Sequence, residues 1–205
     1  MTARDLDFRR YDAAGARGLR TIVEDIYTRS YTAAIATGGP FHSVSAFMTR
    51  FDSYASRDGF DLLVAYHRDQ PAGQAWGWPL GPGTGWWDGL LTDTDPGFTD
   101  EDGTRTFALS EIMVREDLTG HGIAHSLHDQ LLAARPESRA TLLVEPDNTT
   151  AYQAYTRWGW QQVAQLRPAW PDAPIWDVLI LPLPLPTIDR HRPNANHGTP
   201  TRESR

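Results

Sequence analysis

Gly120 and Gly122 sit between an apolar run that reads as a strand and one that reads as a helix, in the segment VREDLTGHGIA, residues 114–124. Glycine permits a tight turn and lets a ligand approach the main chain without a Cβ in the way. The first-turn amides of the following helix have no intrahelical acceptor, and the helix dipole places partial positive charge on them. A pyrophosphate suits such a turn, gaining about 0.3–1 kcal/mol from the dipole before direct hydrogen bonds are counted. The same geometry also serves as a plain turn with no ligand. A dinucleotide fingerprint of the GxGxxG type would need glycine where His125 stands.

Other residue types narrow the chemistry further. The chain has no cysteine, which removes disulfides, thiolate metal ligands and any acyl-enzyme on a protein thiol. It also has no lysine, so a GxxxxGK[ST] phosphate loop and a Schiff-base lysine are absent. His121, His125 and His128 share roughly one helix face. That spacing can suggest a metal, but no carboxylate ligand is obvious beside them, and no metal is expected.

These residues need elements to hold them. Residues 6–11 read as a strand, and 13–30 as a helix with Leu19, Ile22, Val23 and Ile26 at spacings of three and four. After Gly38-Gly39-Pro40, residues 41–55 form a second amphipathic pattern. Residues 60–67 and 72–80 read as two strands of a hairpin turning around Asp69-Gln70-Pro71. A long loop rich in Gly and Asp covers 81–104, a length that is usually functional or disordered. Strand 105–114, helix 122–134, strand 140–145, helix 149–158 and strands 160–166 and 175–181 follow. The pattern predicts one α/β domain over 1–186, a mixed sheet of six to seven strands flanked by about four helices. Residues 187–205 lack periodicity and are expected to form a disordered tail.

One strand and helix after the glycine turn comes NTTAYQAYTRWGW, residues 148–160. The two segments together, in this order and separation, resemble the GNAT superfamily of acyl-CoA N-acetyltransferases. That family pairs a (Q/R)xxGx(G/A) turn with an NxxAxxxYxxxGF-like helix. The first appears as Thr119, Gly122 and Ala124, the second as Asn148, Ala151, Tyr155, Gly159 and Trp160. Thr119 replaces the usual Gln or Arg, which spares the main-chain cradle but removes a long polar side chain. Trp160 replaces Phe.

The resemblance implies a GNAT-type fold, its central sheet mixed and mostly antiparallel, and transfer of an acetyl group from acetyl-CoA to an amine by direct attack. It implies that the cofactor lies in a gap between the fourth and fifth strands. Main chain near Ile112, Met113 and Val114 would pair with the pantetheine arm, and amides of Thr119, Gly120, His121, Gly122, Ile123 and Ala124 would hold the pyrophosphate. Asn148 would reach the pantetheine, cap its helix, or do both. Tyr155 would be the general acid, a role that a phenol of pKa about 10 can fill at neutral pH. Glu111 is the candidate base, provided a bulge turns it toward the cleft rather than to solvent. Trp76, Trp78, Trp86 and Trp87 fall where the family walls its acceptor site, although a Trp-rich core would look the same. Trp170 and Trp176 flank a further loop near that region.

A silent acyl-CoA-binding sensor is the alternative reading, disfavoured by the retained Tyr155. The acceptor is expected to be a small-molecule or peptide amine. The net charge of −7 argues against nucleic acid or an anionic membrane as partner. No apolar run is long enough for a membrane span, and residues 1–10 lack the apolar core of a secretory signal. A cytoplasmic protein is expected, and a homodimer is left open.

Overall fold

The computed structural model describes residues 5–169 and 173–185. The expected tail at 187–205 and Trp170 lie outside them. In chain order the elements are β1 (Leu6–Asp12), α1 (Ala13–Gly18), α2 (Arg20–Ser30), α3 (Thr32–Ala36), α4 (Val44–Tyr54), β2 (Asp61–His67) and β3 (Gln70–Pro79). Then come β4 (Thr106–Val114), α5 (Ile123–Leu132), β5 (Arg139–Val144), α6 (Thr149–Arg157), β6 (Gln161–Leu166) and β7 (Trp176–Pro182). The seven strands form one sheet in the order β1-β2-β3-β4-β5-β7-β6. Every pair is antiparallel except β4 and β5. This is the expected fold, with two more helices than the apolar pattern predicts.

Each departure has a local cause. The pattern over 13–30 is one helical stripe, but the chain leaves α geometry at Leu19, where φ is −101° and ψ is 15°. Asp12 caps α1, its side chain accepting from the Gly15 N–H at 2.8 Å. The short α3 buries no residue and so carries no apolar stripe to read. Ser43 caps α4 through the Ala46 N–H at 3.2 Å, which places the helix start three residues later than the pattern does. The β2–β3 hairpin turns on Arg68 and Asp69, with φ of 50° and 59°, because a two-residue turn of this hand needs positive φ at both positions. Gln70 and Pro71 already belong to β3.

Apolar side chains cover both sheet faces. Val23, Ile26, Phe47 and Phe51 from α2 and α4 pack over Leu62, Val64 and Trp76 on one face. Ile123, Leu127, Leu131 and Leu132 from α5 pack over Leu63, Ala65, Ala75 and Leu109 on the other. No helix among the described residues is long and apolar enough to cross a membrane.

Two irregularities shape the centre of the sheet. The β4–β5 pairing runs only from Thr106↔Arg139 to Ala108↔Thr141, and beyond it the parallel strands diverge. On the other edge of β4, Trp76 pairs with Glu111 and Gly77 with Leu109, so Ser110 is an extra residue, a β-bulge. Gly77 lies against this bulge. A Cβ there would stand 2.1 Å from the Ala108 carbonyl oxygen and 2.6 Å from the Phe107 ring. Because backbone must move to admit it, Gly77→Ala is expected to cost about 1–3 kcal/mol. That is a fall in Tm of roughly 2–12 °C for a domain of this size. An unchanged melting curve would show that the bulge adapts freely.

The loop over 81–104 is anchored rather than loose. The Glu101 carboxylate is buried and accepts from Trp87 Nε1 at 3.2 Å, Thr106 Oγ1 at 2.7 Å and Arg139 Nη2 at 3.0 Å. Leu90 bridges to Leu166 of β6. This fixes Trp86, near the start of the loop, edge-on to Trp78 of β3.

Candidate active site

Where β4 and β5 part, a cleft of about 570 Å³ opens through the sheet. Glu111, Ile112, Asn148, Tyr155 and Trp86 line it, together with Ser110, the last two residues of β5 (Leu143 and Val144) and Glu145 just beyond. Tyr27, Tyr31, Arg50 and Tyr54, from the segment carrying α2 and α4, close its other side.

The bulge decides where Glu111 points. An extra residue at Ser110 breaks the alternation of β4, so Ser110 and Glu111 both face this cleft. The carboxylate is partly buried and has no hydrogen-bond partner among the described residues. Burial penalises its charged form and pushes its pKa up to about 7, against a smaller opposing pull from the Arg50 guanidinium.

Tyr155 reaches the cleft from the last turn of α6. Asn148 caps that helix, its side chain accepting from the Ala151 N–H at 3.2 Å, and Gly159 ends it at φ 94°. The ring stands edge-on to Trp158 and Trp160, with centroids 5.6 and 6.1 Å away. Its hydroxyl has no partner among the described residues. Burial first, and the Glu111 carboxylate second, raise its pKa well above that of a free phenol. Asn148 therefore both caps α6 and faces the cleft.

The parted strands leave main-chain groups without partners. The Arg115 N–H donates to Ala72 O at 3.0 Å. By the alternation of an antiparallel ladder, Met113 also turns its main chain to β3, while Ile112 and Val114 turn theirs to the open gap. The Met113 side chain is buried on the α2 side, with the Gln74 amide 3.2 Å from its sulfur. So the three residues expected along the pantetheine differ in what they offer.

Beyond β4, Gly120 and Gly122 take φ of 77° and 78°, and a Cβ on either would meet nothing within 4 Å. The N–H groups from Gly120 to His125 have no acceptor among the described residues. Six such donors around an open turn fit a diphosphate. Thr119 turns back on its own turn, donating to the Glu116 carbonyl at 2.9 Å. His121 is exposed, and its Nδ1 lies 3.1 Å from the Thr119 carbonyl. Ile123 is buried in the core and Ala124 is partly buried. None of the residues from Thr119 to Ala124 lines the cleft itself.

The histidines are differently used. His125, His128 and Asp129 bring ligand-type atoms within 4.8 Å of one another. But Trp160 Nε1 donates to His128 Nε2 at 2.9 Å, so the ring proton sits on Nδ1, 2.8 Å from Asp129 Oδ1. Both nitrogens are committed, and burial lowers the His128 pKa and holds it neutral. This ring braces α5 against the turn between α6 and β6 and is poorly suited to a metal.

Of the four tryptophans expected at the acceptor wall, only Trp86 lines the cleft. Trp76 is fully buried against Phe47, Phe51 and Phe60, and Trp78 stacks on Tyr54 at 4.6 Å. Trp87 packs on Phe98 beneath the anchored loop. Trp176 does face the cleft. Tyr27, Tyr31, Arg50 and Tyr54 are the residues that the sequence reading did not single out. Their only signal is spacing, i and i+4 on two amphipathic helical segments, which describes a core stripe equally well.

The Acetyltransferase (GNAT) family profile matches residues 21–160. Among solved structures, an acetyltransferase from Thermus thermophilus superposes with TM-score 0.60 at 13% identity, covering 89% of this chain and 100% of that one. The ribosomal-protein-S18-alanine N-acetyltransferase from Escherichia coli gives TM-score 0.58 at 13% identity, over 91% and 99% of the two chains. A GNAT family acetyltransferase from Elizabethkingia anophelis with acetyl-CoA bound gives 0.55 at 14%, over 87% and 99%. At these identities the likeness is one of fold. No curated protein matches the sequence.

Proposed function

The chain belongs to the GNAT acetyltransferase family, and from that premise we propose that it transfers an acetyl group from acetyl-CoA to a primary amine by direct attack. One observation carries the reading: Glu111 and Tyr155 face a single cleft where β4 and β5 separate.

Acetyl-CoA, when bound, supplies a thioester whose C–S bond breaks as the new C–N bond forms. Residues of the chain do the rest. Main-chain groups of Ile112 and Val114 orient the pantetheine, Asn148 borders it, and amides from Gly120 to Ala124 hold the diphosphate. Glu111 takes the first proton from the incoming ammonium. An alkylamine of pKa about 10 is roughly one part in a thousand neutral at pH 7, a deficit of about 4 kcal/mol, so a base poised near neutrality is well matched to the task. Tyr155 gives its proton to the departing thiolate and regains one from the nitrogen as the amide forms. The balance is one proton released per turnover, which leaves through Glu111. With no cysteine in the chain, no relay through a protein thiol competes.

Acetyl-CoA at about 100 times its dissociation constant should stabilise the protein by about 2.7 kcal/mol. For a domain of this size that is a rise in Tm of roughly 5–11 °C. ATP should give no such shift. Absence of any shift with acetyl-CoA or CoA would overturn the proposal. A shift without thiol release in the presence of amines would favour the silent acyl-CoA-binding reading.

A further inference from the structure

Arg50 is the only arginine lining the cleft among the described residues. Elsewhere three partly buried arginines are matched to carboxylates, Arg135 to Asp61 and Glu137, Arg139 to Glu101 and Arg115 to Asp117, and a fourth, Arg105, donates to the carbonyls of Gly97 and Asp100. Arg50 has no carboxylate within 4.0 Å among the described residues, although Glu111, Asp88 and Glu145 all line the same cleft. Its guanidinium lies 4.1 Å over the Phe41 ring, and Nη1 donates to the Phe41 carbonyl at 3.0 Å. The ring, the carbonyl and the neighbouring Tyr27 hydroxyl hold the fork in place, and its remaining donors meet no carboxylate among the described residues. A rigid guanidinium with spare donors is a bidentate receptor for a carboxylate. Across the cleft Glu111 is suited to an ammonium, and Tyr31, Tyr54 and Trp86 supply apolar walls between.

We infer that the acceptor is an amine that also carries a carboxylate, an amino-acid-like zwitterion with an aromatic or apolar body. Arg50 binds the carboxylate and Glu111 receives the amine. The inference rests on the transferase reading above and adds the chemical class of its acceptor. It makes Arg50 a specificity residue that exchanges no proton itself, while its charge also favours the ionised form of Glu111.

The test compares amines in pairs that differ only in the acid group: phenylalanine with phenethylamine, tryptophan with tryptamine, and 4-(aminomethyl)benzoate with benzylamine. Thiol release with saturating acetyl-CoA gives kcat/KM for each. Within at least one pair the carboxylated member should be preferred by about ten- to a hundred-fold, the range for losing one charged hydrogen-bonding partner. Arg50→Gln should abolish that preference by raising KM for the carboxylated amine about ten- to a hundred-fold more than for the plain one. Equal or better use of the plain amine in every pair, or no turnover of any of the six by a protein that binds acetyl-CoA, overturns the inference. So does a preference that survives Arg50→Gln. Calorimetric binding of acetyl-CoA to the same preparation keeps the two readings apart. Failure to bind it overturns the transferase reading itself, whereas binding without discrimination overturns only the role of Arg50.

Discussion

Glu111→Gln is expected to lower kcat/KM at pH 7 by about 10²–10³-fold, within the range for removing a general base. The loss should shrink as pH approaches the acceptor's own pKa near 10, where the amine deprotonates without help. In the parent, kcat/KM should rise about tenfold per pH unit up to about 7, because the base works only when ionised. It should then hold until the free ammonium itself titrates. In the variant the break near 7 should vanish, and the rise should continue toward the ammonium's own pKa. Stability gives a second readout of opposite sign. The Glu111 pKa is raised from 4.5 in the free side chain to about 7 in the fold. The stability contributed by its protonated form is therefore present below about pH 4.5 and lost as pH rises through about 7. Glu111→Gln should thus melt higher than the parent at pH 8 and alongside it at pH 4. A variant that loses activity while gaining stability has lost a working group and not a structural one. An unaltered pH profile would remove Glu111 from the reaction.

Tyr155→Phe should lower kcat by about 10²-fold, at the lower end for general-acid loss. The magnitude follows from the leaving group. An alkyl thiol has a pKa near 8.5 in water, so its thiolate departs unaided more readily than an alkoxide would. Burial that raises the phenol also raises a thiolate beside it, which keeps the transfer from Tyr155 close to balanced. Phenylalanine keeps the edge contacts with Trp158 and Trp160, and the lost hydroxyl has no partner among the described residues. Melting temperature and the dissociation constant of acetyl-CoA should therefore stay close to the parent's. Turnover unchanged at saturating substrates would exclude the phenol as acid. A large drop in acetyl-CoA affinity would recast it as a binding residue.

Legibility from sequence followed the range of the interactions. The glycine turn, the capped α6 and the strands around them were readable because each is specified by neighbours within a few residues: Gly122 ahead of α5, Asn148 ahead of α6, Gly159 after it. The orientation of Glu111 was not, since it depends on where a bulge falls, and that is settled by how Gly77 packs under Ala108 on another strand. Alternation along β3 puts Trp76 and Trp78 on one face without saying which side lies under helices. The packing of α2 and α4 makes that side core, so only Trp86, outside the strand, remains at the cleft. Tyr27, Tyr31, Arg50 and Tyr54 were hidden for the converse reason. Their spacing matches a buried stripe, and only the divergence of two strands elsewhere gives that stripe a cavity to face.

That divergence bears on how the molecule comes apart. Within the sheet, three residue pairs join β4 to β5, whereas β5 and β7 share six. Partial openings favour places with few shared hydrogen bonds, which implies that the fold would first yield along this seam. A molecule wedged there and bonded to both lips acts as a suture. The weakest line of the architecture then becomes the one most strengthened by occupancy.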